Sequence, residues 1–299
     1  MTETPFPWPA LAAAATGILV GAALVATRSI ASEIPPGSLA LLRYVIGCLC
    51  LAPAFLMRRR VRVSRRDAGA IGIIGVLQFA VVVGLLNLSL QRIASARAAL
   101  LFSVCPVLTL ALEALLRRSW PSLSRTGGVA LALAGVGIAF GWEALREGAG
   151  VSWAGEGAAL LSALVAAGCS ISYRPYLAKY GALSVGLYAL PPAVASLAVV
   201  AGFEGLFARP LRLEASGWLA AAFIGISSAA GYLLWLWALK HRSPTRVTVF
   251  LTLNPISAAL FGALYLGERV GPAFGIGLTC VITGVWLAYR SPGGSLRRV

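Results

Sequence analysis

The sequence predicts an all-α membrane protein of ten transmembrane helices, arranged as two inverted five-helix repeats. Three observations carry this expectation. The first is composition: 59% of the 299 residues are hydrophobic and only 12% are charged, where a soluble domain carries roughly 25% charged residues. The apolar residues gather in continuous runs of a length that suits helical spans, whereas barrel strands alternate over about 10 residues. The second is internal repetition. Shifting the chain by 149 residues lays Asn254-Pro255 on Cys105-Pro106, the glycines around Gly284 on those around Gly135, and Tyr188-Ala189-Leu190 on Leu39-Ala40-Leu41. The third is parity: each half holds an odd number of runs, so the two halves enter the bilayer with opposite orientation. Such halves can form alternating gates around a site at the midplane.

The ten spans are expected near 8–28, 36–57, 68–90, 95–116, 125–142, 153–174, 183–206, 216–239, 244–266 and 271–290. At 1.5 Å rise per residue each approaches the roughly 30 Å of hydrocarbon, the fifth being the shortest. The first reads as a span and not as a cleavable signal, because no basic stretch precedes it. Pro35-Pro36-Gly37 introduces the second, Pro121-Ser122 precedes the fifth, and Ser243-Pro244 opens the ninth. No connection is long enough for a separate soluble domain. The repeats therefore divide the chain into residues 1–147, holding spans one to five, and 148–299, holding spans six to ten.

The net charge of +15 does not point to nucleic acid. Arg58-Arg59-Arg60, Arg65-Arg66 and most other basic residues lie in short loops on one side of the predicted spans. That side carries 17 Lys and Arg and the other carries seven, with Arg43 inside span two. The positive-inside rule then places both termini in the cytoplasm. The five cysteines (Cys48, Cys50, Cys105, Cys169 and Cys280) all fall within spans without metal-ligand spacing, and His241 is the only histidine. No nucleotide-binding loop, hydrolase elbow or paired carboxylate is present. The chain is expected to be neither an enzyme nor an ATP-driven pump, and to need no cofactor or metal.

Within the spans, Pro106 and Pro255 occupy matching repeat positions, and each removes a backbone hydrogen bond near the middle of a helix. They are expected to be hinges, and Gly17 on span one is a further hinge candidate. Gln78, Ser103 and Asn254 are polar groups expensive to expose to lipid, and are candidate ligand contacts. Asn254 could equally bond a neighbouring helix. Phe79, Tyr232 and Trp235 are candidate side-chain contacts, with Tyr232 and Trp235 on one helix face. Glu113 is the only acid well inside a span. It is a candidate for ion coupling, against which stands an interfacial pair with Arg117 four residues on. Arg28 and Arg43, near the outer ends of spans one and two, could pair with Glu33, guide a carboxylate at the exit, or snorkel to the membrane edge. The spacings Ala130/Ala134, Gly137/Gly141 and Gly271/Gly275 mark spans five and ten as close-packing scaffold.

Two five-span repeats, Ala40-Leu41-Leu42-Arg43 on span two, and NPISAALFGALYLGER (254–269) before a glycine-rich last span resemble the EamA-type branch of the drug/metabolite transporter superfamily. The likeness covers nearly the whole chain. The first repeat departs from it, having Arg118-Ser119 where the second has Gly267-Glu268. The resemblance implies ten helices, cytoplasmic termini and a central cavity lined by spans one, three, four, six, eight and nine. Within the family the chain looks most like bacterial amino-acid exporters of the inner membrane. The expectation is therefore a monomer in the lipid bilayer that exports neutral and aromatic amino acids by alternating access. Efflux of drugs or other small metabolites, with Glu113 coupling protons, is the alternative. Distant relatives couple protons through a glutamate in the first span, which this chain lacks, and that favours facilitated export.

Overall fold

The computed structural model describes residues 8–56, 62–93, 95–117, 122–138, 153–208, 211, 213–266 and 272–290. The regular structure of the described residues is helix, with no strand among them. Uninterrupted apolar sequence gives the long rods α1 (Trp8–Ile30) and α2 (Pro36–Leu56). The third rod comprises α3 (Arg65–Gly75), a π-helical turn (Val76–Val81) and α4 (Val82–Leu90). The Ser64 hydroxyl caps α3 by accepting from the Asp67 amide at 3.2 Å. The fourth rod, α5 (Ser95–Phe102) and α6 (Cys105–Arg117), breaks at Ser103-Val104, and α7 (Leu123–Val136) follows.

In the second half, α8 (Trp153–Ser172) and α9 (Arg174–Tyr180) meet at Tyr173. Then come α10 (Ala182–Phe203) and α11 (Ala215–His241). The ninth rod is assembled from α12 (Pro244–Thr248), a 3-10 turn (Val249–Thr252) and α13 (Leu253–Leu266), and α14 (Pro272–Arg290) ends the described chain. Eight of these rods are long and apolar enough to cross a membrane. The expected fifth and tenth spans are the exceptions. α7 has 14 residues and α14 has 19, of which Gly275–Ala288 is its apolar stretch. Residues 139–142 of the fifth expected span, and the junction between the halves near 147–148, lie outside the described residues.

Packing joins the halves at every level. α1 lies against α11 and α13, and α8 lies against α4, α5 and α6. α2 packs on α11, while α3 packs on α10. α7 and α14 cross each other. Their closest approach uses glycines on other faces than the expected spacings: a methyl group on Gly128 would lie 2.5 Å from the Ala288 nitrogen, and one on Gly135 2.6 Å from the Gly277 carbonyl. Ala130 and Ala134 are instead exposed, Gly137 and Gly275 have open space beside them, and Gly141 and Gly271 lie outside the described residues.

Candidate functional site

A cavity of about 130 Å³ lies inside the bundle, walled by α1, α2, the third and fourth rods, α8, α11 and the ninth rod. Four of those rods are irregular where they border it. The π turn carries Gln78 and Phe79. Phe102 precedes the break in the fourth rod, and Ser170 precedes the break at Tyr173. Leu251 lies in the 3-10 turn. Irregular backbone at membrane depth is tolerated where protein or a cavity, and not lipid, meets its polar groups. Pro106 and Pro255 explain two of the four. Each sits in the first turn of a half-helix, where a missing N–H costs little. Lacking that N–H, they leave the carbonyls of Phe102 and Leu251 without their usual helical partner, and both residues line the cavity.

The wall has an arithmetic regularity. Adding 149 to Gln78, Phe79, Val82, Val83, Leu86 and Phe102 gives Ser227, Ser228, Gly231, Tyr232, Trp235 and Leu251, and all twelve face the cavity. The chemistry of the pairs differs. The first half contributes an amide and aliphatic groups, and the second contributes hydroxyls, a large phenol and an indole. Phe79 is the aromatic centre. Its ring meets Tyr44 at 4.9 Å and Tyr232 at 4.6 Å, both edge to face, the geometry that ring quadrupoles favour.

Most hydroxyls in the wall already donate to their own helices. Thr16 bonds the Ala12 carbonyl at 2.9 Å, Ser170 bonds Ala166 at 2.8 Å, and Ser228 bonds Ile224 at 2.6 Å. The uncommitted polar atoms are Gln78 Oε1 and Arg43 Nε, while the Tyr232 hydroxyl lies against that of Tyr173. Arg43 is 7% exposed, donates from Nη2 to Thr27 Oγ1 at 2.6 Å, and lies against the Tyr44 phenol.

Of the expected contacts, Gln78, Phe79, Tyr232 and Trp235 are brought together in this cavity. Ser103 is buried at the helix break, donates to the Ala99 carbonyl at 2.8 Å, and is not in the wall. Asn254 is also outside it. It is fully buried behind α1 with neither side-chain atom partnered. Gly17 lies in the unbroken part of α1, where a side chain would collide with the Phe250 carbonyl. Glu113 is buried away from the cavity and accepts from the Thr245 hydroxyl, tying α6 to α12. The Arg117 side chain lies outside the described residues. Arg28 donates to the Ile93 carbonyl at 3.0 Å. Sequence reading missed Tyr44, Arg43, Ser227 and Ser228 as wall residues. The repeat offset applied to Gln78 and Phe79 already pointed to the two serines.

Comparison with known proteins agrees with this architecture. The sequence model of the EamA-like transporter family matches residues 7–141 and again residues 153–290, and the chain belongs to that family. It is a multi-pass membrane protein of transporter type. A protein of Archaeoglobus fulgidus described as an uncharacterized transporter is 26% identical over 278 residues, covering 90% of this chain and 94% of that one. A protein of Streptantibioticus cattleyicolor described as "Probable terminal-alkyne amino-acid exporter" is 27% identical over 255 residues, covering 83% of this chain and 82% of that one. A crystal structure with 21% sequence identity superposes with a TM-score of 0.75, covering 92% of this chain and 94% of that chain, and so shares the fold.

Proposed function

We propose that this protein exports amino acids across the bacterial inner membrane, as a monomer that alternates access to the central cavity between two inverted five-helix repeats. The observation that carries the reading is the cavity wall itself, twelve of whose 21 residues form six pairs 149 apart. Packing supports it too. The contacts of α1 with α11 and α13 answer those of α8 with the third and fourth rods, and α2 on α11 answers α10 on α3. A site shared by two such halves can be opened by rocking one against the other. Pro106 and Pro255 are the hinges, and the Lys and Arg bias puts both termini in the cytoplasm.

Two features favour amino acids over drugs. The cavity of about 130 Å³ is well below the roughly 300–1,000 Å³ of pockets that enclose drug-sized ligands. Its wall also combines aromatic and aliphatic surface with a few uncommitted polar atoms, which suits a small molecule with a polar backbone and an apolar side chain. The relative described as an amino-acid exporter is consistent with this. Glu113, tied to Thr245 away from the cavity, is no ligand contact here, and facilitated export needs no coupling acid. Gln78 and Tyr232 bond the ligand, with Phe79 and Trp235 against its side chain. Counterflow tests this directly. Proteoliposomes loaded with unlabelled neutral amino acids are expected to accumulate labelled leucine or phenylalanine without an ion gradient. Absence of counterflow for every amino acid, from folded and inserted protein, overturns the reading.

A further inference from the structure

Among the described residues, Arg43 is the only charged side chain in the cavity wall. It sits seven residues into α2, about 10 Å along the helix axis from its start. Arginines near membrane edges ordinarily extend toward water, burying the stem and keeping the guanidinium wet. Arg43 does not: it is 7% exposed. Its Nη2 donates to the fully buried Thr27 hydroxyl, the neutral phenol of Tyr44 lies against the guanidinium, its Nε has no partner, and no carboxylate of the described residues pairs with it. Glu204, the acid from the opposite half that reaches α2, is spent on the amides of Gly37 and Ser38 at the helix start. A buried cation without a counter-charge is expensive and in a membrane marks function by default. Here it lines the one internal cavity that the proposed export reading uses.

We propose that Arg43 is the anion anchor of this cavity and takes the carboxylate of the transported molecule. The inference rests on the amino-acid reading for the identity of the ligand, and on geometry for the charge. A planar guanidinium matches a carboxylate with two parallel N–H donors. One buried positive charge neutralises one negative charge, so a monocarboxylate fits where a phosphate dianion would leave charge uncompensated. Gln78 Oε1, which has no partner, and the Tyr232 oxygen, whose hydroxyl lies against Tyr173, are acceptors for an ammonium group. A cation and acceptors in one small apolar chamber are what a zwitterion requires.

The test uses wild-type protein first. Labelled leucine counterflow is competed with leucinamide and isoamylamine, which lack the carboxylate, and with 4-methylpentanoate, which keeps it and lacks the amine. The expected result is at least about tenfold weaker competition from the two compounds without a carboxylate, as for a lost hydrogen bond to a charged group. Arg43→Gln is expected to lose at least about tenfold in leucine affinity and to bring leucine and leucinamide to parity, with Arg43→Lys in between. A merely structural role would weaken all ligands together and leave their ratio unchanged. Equal competition by leucine and leucinamide on wild-type protein overturns the anchor and leaves amino-acid export standing. Should no amino acid exchange, that reading falls and the anchor is judged by melting. 4-Methylpentanoate that stabilises wild-type protein but not Arg43→Gln upholds it, and failure to stabilise wild-type protein overturns it.

Discussion

Asn254 is the residue at which fold and function pull apart most clearly. It is 0% exposed, and both its amide oxygen and its amide nitrogen lack partners. A buried polar group in that condition costs about 1–3 kcal/mol. It sits in the first turn of α13, beside Pro255 and against the α1 crossing, where Gly21 is so close that a methyl group there would lie 2.5 Å from the Asn254 carbonyl. An orphaned amide next to a proposed hinge is what a two-state element would keep, unsatisfied in one arrangement and bonded in the other. Asn254→Ala is therefore expected to raise the melting temperature of ligand-free protein while lowering counterflow. A lower melting temperature with flux unchanged would make the amide an ordinary structural contact and remove it from the transport cycle.

Irregular backbone is concentrated at the cavity. Four of the rods that border it are broken or locally re-wound while α1, α2 and α11 border it as continuous helices, and α7 and α14 stand apart from the wall. Their crossing is built on glycine. A side chain on Gly128 meets the α14 backbone at Ala288, and one on Gly284 would come within 2.5 Å of the Ala132 nitrogen. Without a hydrophobic drive between helices in lipid, such close backbone approach is what holds the pair together. Gly284→Leu should therefore destabilise the protein by about 1–3 kcal/mol, the usual cost of overpacking. Leucine affinity per folded molecule should stay unchanged. A melting temperature equal to wild type would mean that the crossing is loose in the bilayer.

The same elements mark what the sequence could and could not say. Spans were legible because apolar length is a one-dimensional property, and eight of them appear within a few residues of expectation. The breaks at Pro106 and Pro255 were legible from one residue type each. The π turn at Val76–Val81 was not, since no proline or glycine within it announces an extra residue in the turn. Nor could periodicity decide between faces of a helix that is apolar all round. Ala130 and Ala134 have the spacing of a contact face, yet Gly128 and Gly135 form it. Arg43 shows the third limit: the sequence places it inside a span, but only packing decides whether its guanidinium reaches water or a cavity.

For the molecule as a whole, charged side chains tie the halves at both ends of the bundle, besides the buried bonds of Thr16 to Gly231 and Ser162 to Val82. At the end proposed to face the cytoplasm, Lys179 donates to Asp67 Oδ2 at 2.7 Å, Tyr180 donates to the same oxygen at 2.5 Å, and Thr245 donates to Glu113. At the opposite end Glu204 accepts from the Gly37 amide at 2.9 Å, and from the Ser38 amide and hydroxyl at 2.6 and 2.7 Å. Alternating access requires these sets to open in turn, so weakening one should shift the population toward the arrangement that opens its own end. Lys179 is 61% exposed, and a surface pair of that kind contributes at most about 1 kcal/mol, or roughly fivefold in population. The Glu204 clamp is charge-assisted and part-buried, and its loss should shift the balance by about tenfold or more. A cysteine at Ser228 in the cavity wall, with the five native cysteines replaced, reads this out through membrane-impermeant thiol labelling. Asp67→Ala should raise labelling from the cytoplasmic side and lower it from the other, and Glu204→Ala should do the reverse by the larger factor. The opposed signs are the decisive feature, because a contact that only holds the fold together would raise labelling from both sides when lost. Both variants behaving that way would reduce the two clamps to packing and leave alternating access without its gates.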